Sequence, residues 1–361
     1  MSEYQINVIY KVQDIAQLRD SWNRLLEKSA SSSFFLTWEW VYSWAECYLG
    51  DSRKLFIIVV YDKDEVVGIA PWYVEYVPFM GSTRKQISFL GSPESGADYL
   101  DVFMKRGKEK EISNFIYEYI MAEASKHWHC MILNDIPSSS LFLMNIMNKS
   151  SSEGKYVELT RASFCPVTVL PDNIDKYFLS LSKNRREQYR RHLKMLSSSG
   201  KVSHESHHGN ENTIIDEFFH LYKKNWKQEG DKLQRLIHIL ATNIKDHDRL
   251  QLDFLKYDGN YIAGLLHFKY QKSLLMYLMA IDKDFNPKIS IGNVLVGLCI
   301  QQAINKGIST YDFLKGEEDY KFHWSTKMNV SNSIFLYQRR IIPLIFAMNR
   351  QLKHAGKLLL R

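Results

Sequence analysis

Only four cysteines occur in the 361 residues, at 47, 130, 165 and 299, and none forms a Cys-x-x-Cys pair. That pattern argues against a disulfide framework and against the common zinc spacings, so no metal is expected. Cys165 and Cys299 stand in apolar or helix-like runs and read as small buried hydrophobes. The first residues, Met1-Ser2-Glu3-Tyr4-Gln5-Ile6, lack the basic and apolar regions of a signal peptide. No stretch free of charge is long enough to span a bilayer. A reduced, cytoplasmic protein is the expectation. Strong charge of one sign is missing too. The 47 basic and 40 acidic residues leave a net charge of +7, too mild for a nucleic-acid binder unless concentrated. It is compatible with an anionic ligand such as a nucleotide. What is present is 45% hydrophobic and 24% charged residues, the balance of a globular protein rather than a disordered one. The length allows two medium domains, and the 21 tyrosines and 8 tryptophans suit large ligand-lining surfaces.

Two segments look like variations on one hairpin. Leu55 to Asp62, a Lys-Asp-Glu turn, and Val66 to Val74 form the first. Leu252 to Asp258, a Gly259-Asn260 turn, and Tyr261 to Phe268 form the second, which continues into a strand from Leu274 to Ile281. Both share a Tyr-Asp, a tight polar turn and small residues early in the return strand, which points to a duplicated domain. Helical patterns precede each hairpin, at Asp14 to Lys28, Asp175 to Leu196 and Thr213 to Gln228. Helices followed by an antiparallel meander, a helix and a further strand make an α+β order. The polar break at 150–155 and the strand-like residues after it place a boundary near 160. The domains expected are therefore 1–160, 161–340 and a basic C-terminal helix at 341–361. That last segment mixes Ile341-Ile342-Pro343-Leu344 with Arg350, Lys353, Lys357 and Arg361. It reads as a packing helix, with peripheral membrane association as the alternative.

Chemistry concentrates after Tyr311-Asp312-Phe313-Leu314, where apolar residues end in Gly316 and then Glu317, Glu318, Asp319, Tyr320, Lys321, His323 and Trp324 follow closely. A strand end that opens into titratable and aromatic residues is a usual place for a ligand site. A second concentration lies at Lys183 to Lys194, where Arg186, Arg190 and Lys194 fall one helical turn apart. It reads either as a solvated face or as an anion-binding stripe. The run His204-Glu205-Ser206-His207-His208 reads as a surface loop, and Trp22, Trp38, Trp40 and Trp44 as core.

Several of these segments together resemble acyltransferases of the GNAT superfamily, in the double-GNAT branch labelled cellulose-biosynthesis-associated or Fem-like. They are Tyr177 to Arg186, Asp258 to Gly264, Ala280-Ile281-Asp282 with Ser290 to Leu295, and Asp312 to Gly316 with Tyr320, Lys321 and Trp324. In the first half, Phe35 to Trp40, Phe89-Leu90-Gly91 and Asp98 to Asp101 look like the same family's first module. The resemblance covers roughly residues 30 to 340. It implies two tandem modules, each a mixed, mostly antiparallel twisted sheet flanked by helices, and transfer of an acyl group from acyl-CoA to an amine of a small molecule or sugar precursor.

In that family the pyrophosphate sits on backbone N–H groups at a helix N-terminus, a position that Ser290, Ile291, Gly292 and Asn293 occupy here. The superfamily's longer glycine-bearing loop is reduced to one glycine, which keeps a Fem-like aminoacyl-tRNA donor or an acyl-carrier donor open. A non-catalytic accessory protein of exopolysaccharide synthesis is a further alternative. Nucleic acid is otherwise not expected as a partner. For direct transfer, Asp312 or Glu318 would take the amine proton, directly or through water, Lys321 would stabilise the oxyanion or an anionic substrate group, and Tyr320 would protonate the leaving thiolate. Asp98, Tyr99 and Asp101 are candidates for holding an ammonium acceptor, with Arg186, Arg190 and Trp324 as further substrate contacts.

Overall fold

The computed structural model describes residues 4–79, 81–209, 211–338 and 345. The helix expected at 341–361 lies outside them, apart from Ile345. The chain divides into two compact units, one holding the described residues up to Ala162 and again from Val330, the other running from Ser163 to Asn329. The expected second domain, 161–340, therefore gives its last strand back to the first unit.

Up to Ala162 the elements are β1 (Tyr4–Ile9), α1 (Val12–Ala16), α2 (Arg19–Lys28), α3 (Trp38–Tyr48), β2 (Arg53–Asp62), β3 (Glu65–Phe79), β4 (Ser82–Phe89), β5 (Phe103–Met104), α4 (Glu109–Met121), β6 (Cys130–Pro137), α5 (Leu141–Ser152) and the start of β7 (Tyr156–Val169). Then come α6 (Ile174–Ser180), α7 (Lys183–Ser199), β8 (Val202–His208), α8 (Asn212–Lys223), α9 (Lys227–Asn243), β9 (Leu250–Tyr257), β10 (Asn260–Tyr270), β11 (Ser273–Ile281), α10 (Ile291–Asn305), β12 (Thr310–Asp312), α11 (Asp319–Trp324) and β13 (Lys327–Tyr337).

The sheet of the first unit runs β1-β2-β3-β4-β6-β13, with β5 beside β3. Its pairs are antiparallel except β4 with β6. In the second unit the order is β8-β9-β10-β11-β12-β7, antiparallel except β11 with β12. The two orders repeat one plan. Each has a meander of strands, a helix that crosses over, and a strand that returns parallel to the last one. Helices flank both mostly antiparallel sheets, which is the fold class the sequence leads one to expect.

Both predicted hairpins form, as β2–β3 and β9–β10. The second turns through Asp258-Gly259, one residue earlier than expected, with both residues at positive φ. That is the backbone of a type I′ turn, whose twist matches the flanking strands and which Asp-Gly tolerates well. Apolar residues fill both interiors. Trp22, Trp40, Trp44 and Trp72 are fully buried in the first unit. In the second, Tyr177, Tyr189, Val294, Leu295, Cys299 and Trp324 belong to one cluster under α10. Gly297 lets α7 approach α10 closely, since a Cβ there would stand 2.2 Å from the Tyr189 ring. All four cysteines are buried and unpaired with one another. Among the described residues no helix is long and apolar enough to cross a membrane.

Candidate functional site

In the second unit, β11 pairs with β10 along its length, but with β12 only from Ser273 to Leu275. Beyond that point β12 ends and its chain departs. Asp312 Oδ1 accepts the Leu314 N–H at 2.8 Å, and Leu314 takes a φ of 56°. The turn thus steers the chain away from β11 and into Gly316.

The other wall is the start of α10. Ser290 stands at its N-cap but makes no side-chain cap to the helix. Its hydroxyl instead accepts from Asn293 Nδ2 at 2.8 Å, while Asn293 Oδ1 accepts from Trp324 Nε1 at 2.8 Å. Ser290 N–H donates to His192 Nδ1 at 3.1 Å, which leaves the ring proton on Nε2. Burial, then the charge of Arg191, lowers the affinity of His192 for a second proton, so the ring suits this acceptor role. The first helical turn keeps two donors in reserve, because the N–H groups of Gly292 and Asn293 have no partner among the described residues. Such orphan donors and the helix dipole together favour an anion. Gly292 seats this turn against β11, where a Cβ would meet Met279 Sδ at 3.0 Å and Ile281 Cγ2 at 3.5 Å.

A cleft of about 360 Å³ opens over this turn, lined by Met279, Ile281, Pro287, Ser290, Ile291, Gly292, Asn293 and Tyr320, among others. Four residues expected to bind cofactor and one expected to be catalytic therefore share a cavity. Burial, then the charge of Glu318, raises the Tyr320 hydroxyl well above its ordinary range. It is a protonated acid at neutral pH.

The other predicted residues are placed differently. Lys321 is buried, and its ammonium donates to the Lys315 carbonyl at 2.6 Å and pairs with Glu318 at 3.2 Å. It closes the loop over Gly316, where a Cβ would collide with both side chains. Glu318 is half-exposed, and Asp312 is buried in the turn it stabilises. Trp324 is fully buried, with its carbonyl held by the Tyr177 hydroxyl at 2.7 Å, so it is core and not a substrate contact. Arg186 donates to the carbonyls of Phe178, Leu179 and Leu181, at 3.2, 3.3 and 2.6 Å. It caps the C-terminal end of α6, where cations are favoured, instead of facing a ligand. Arg190, by contrast, is exposed on α7 beside Arg191, with Lys194 one turn on.

In the first unit Asp98 and Asp101 are buried and Tyr99 is half-buried. Asp101 accepts from the hydroxyls of Ser31 at 2.7 Å and Ser140 at 2.8 Å and from the Val102 N–H at 2.8 Å. A carboxylate turned inward onto three donors joins segments of the fold and is not presented to an ammonium group. His192 escaped the sequence reading; its only signal was its place on the basic helix, three residues after Tyr189.

Residues 183–322, which hold this cleft, match the family described as an acetyltransferase (GNAT) domain. No curated protein matches the chain. Among solved structures, FemX is similar over 91% of this chain and 96% of its own, with a TM-score of 0.60 at 12% identity. A conserved protein of unknown function from Bacteroides thetaiotaomicron VPI-5482 covers 92% and 100%, with a TM-score of 0.58 at 10% identity. L-PGS from Bacillus licheniformis covers 92% and 96%, with a TM-score of 0.56 at 11% identity. At these identities the likeness is one of fold, and it extends over both units. The fold is thus GNAT-like and resembles that of FemX; nothing in these likenesses singles out a cellulose-associated branch.

Proposed function

We propose that this chain, with its GNAT domain at 183–322, is an N-acyltransferase that takes an acyl group from acyl-CoA to an amine of a small molecule or sugar precursor. The observation that carries this reading is the α10 N-terminus, with two N–H groups that have no partner among the described residues, over a strand whose parallel neighbour has parted from it. Those donors would hold the pyrophosphate. The length of β11 beyond its pairing with β12, from Met276 to Ile281, would hold the amide-bearing arm, which leads the thioester toward the end of β12. The attacking amine forms the new C–N bond and gives its proton to water. The thiolate leaves and takes the Tyr320 proton, and the proton given to water restores the Tyr320 hydroxyl.

No covalent enzyme intermediate is needed, in keeping with four buried cysteines. Calorimetric titration with CoA, followed by thiol release from acetyl-CoA across a panel of amines, tests the reading. Binding and amine-dependent release support it, and a folded protein with no affinity for CoA refutes it.

A second reading replaces acyl-CoA by an aminoacyl-tRNA. The exposed Arg190, Arg191 and Lys194 on α7 favour it, together with the single glycine at the phosphate turn. Strong, salt-sensitive binding to aminoacyl-tRNA without competition from CoA would select it.

A further inference from the structure

Beyond the donor cleft, α10 also covers a buried polar cluster. The expected surface loop at 204–208 is in fact strand β8, paired with β9 through His204↔Leu255 and Ser206↔Asp253. The pairing brings side chains from β8, β9 and α10 together. His204 Nε2 lies 3.1 Å from Asp253 Oδ1 and 3.8 Å from Cys299 Sγ. One ligand atom from each of the three residues lies within 4.8 Å of the other two. Around a tetrahedral cation with zinc-like bond lengths, neighbouring ligand atoms stand roughly 3.3–3.7 Å apart. The two measured separations bracket that span, so a cation would fit with small rotamer shifts.

The surroundings suit this use. Asp253 is fully buried, and its second oxygen accepts from Gln251 Nε2 at 2.8 Å. His267 Nδ1 stands 2.9 Å from that oxygen, off the line of a well-formed hydrogen bond, and its Nε2 meets the Tyr311 hydroxyl at 2.7 Å. Oδ2 is therefore engaged from outside while Oδ1 faces His204, the arrangement that orients a ligating carboxylate. Ser206 Oγ stands within hydrogen-bond reach of both Asp253 Oδ1 and Gln302 Oε1, and its single proton serves one of them at a time. A cavity of about 190 Å³ is lined in part by His208, Gln251 and Gln302, and these two glutamines also contact Asp253 and Ser206.

We propose that His204, Asp253 and Cys299 bind a zinc-like divalent cation, with water as the fourth ligand. Imidazole, thiolate and carboxylate form a borderline-soft set suited to zinc or cobalt. With a neutral imidazole, two anionic ligands balance the charge of the ion. As the sulfur–metal bond forms, the Cys299 proton leaves to solvent, and nothing is oxidised or reduced. The ion would tie edge strand β8 to the helix whose first turn forms the donor cleft.

Cobalt(II) added to the full chain after chelator treatment reads the site directly. One equivalent should bind, giving a near-ultraviolet sulfur-to-cobalt band and the intense visible bands of four-coordination. Cys299→Ser should abolish the near-ultraviolet band, and His204→Gln should weaken binding by roughly tenfold or more. The melting curve of each variant reports whether it is folded. Because His204 is on the accessible edge of the cluster, its variant keeps the test usable if Cys299→Ser does not fold. Absence of the sulfur band, its survival in Cys299→Ser, or unchanged affinity in His204→Gln overturns the proposal and leaves a hydrogen-bonded network alone.

Discussion

Tyr320 lines the donor cleft with a hydroxyl that stays protonated through neutral and mildly alkaline pH. Tyr320→Phe removes only that hydroxyl. Acyl transfer should slow by roughly tenfold or more, as for a lost general acid, with an almost unchanged melting temperature. Normal turnover in the folded variant would remove Tyr320 from the mechanism. Asp101 calls for a different measurement. Burial pushes its carboxyl up to about 6, against the opposing hydrogen bonds of Ser31, Ser140 and Val102. Its unfolded value lies near ~3.9, so the folded state binds the proton more tightly. The stability this group contributes is therefore present below about pH 4 and falls as pH rises toward 6, by about 3 kcal/mol at most. Asp101→Asn should flatten that slope in urea unfolding measured from pH 4 to 7; an unaltered slope would refute the assignment. These residues also show where sequence reading stops. The run after Tyr311 was recognisable as a strand end rich in chemistry. Which groups turn inward was not, because Trp324, Lys321 and Tyr320 share one short helix, and their directions depend on what α10 and Gly316 leave open.

Among the elements, α10 and α7 separate structural from functional roles. Gly292→Val puts side-chain bulk where the helix turn meets β11 and the cleft. The flexible Met279 thioether can yield, so folding should survive while CoA affinity drops by roughly tenfold or more, measured by calorimetry. On α7, Arg190→Gln with Lys194→Gln should reduce the salt dependence of anion binding without loss of stability. Arg186→Gln should do the reverse and cost about 1–2 kcal/mol through the freed carbonyls of α6, read by denaturant unfolding. Equal behaviour of the two variants would refute this division of the basic stripe. The hairpins were legible because β-branched alternation and a tight turn are local signals. Strand β8 was not, since His, Ser and Glu carry little strand propensity and its pairing partner lies nearly fifty residues away. Helix α9 was passed over beyond Gln228, although Leu233, Leu236, Ile237 and Leu240 have helical spacing.

Over the whole chain, the duplication inferred from two similar hairpins reappears as two sheets of the same strand order. The last strand of each order was beyond sequence reading. Each unit is completed by a strand near the end of the opposite half of the sequence: β13 joins β6, and the end of β7 joins β12. A contact such as Ser138 Oγ to the Val330 carbonyl spans 192 residues, and no local pattern announces it. A chain stopped at Trp324 should therefore expose the edge of β6. It should aggregate at concentrations where the full chain stays dispersed, and addition of a peptide spanning 327–338 should suppress this in light scattering. A dispersed, cooperatively melting truncation would refute that account. The same exchange sets a timetable for biosynthesis. The first half cannot finish its sheet as it leaves the ribosome; the open edge of β6 must wait until β13, which follows β6 by nearly two hundred residues, has been translated. Slowing translation between the codons for Pro137 and Ser331 should therefore lower the yield of folded protein, read as the soluble fraction.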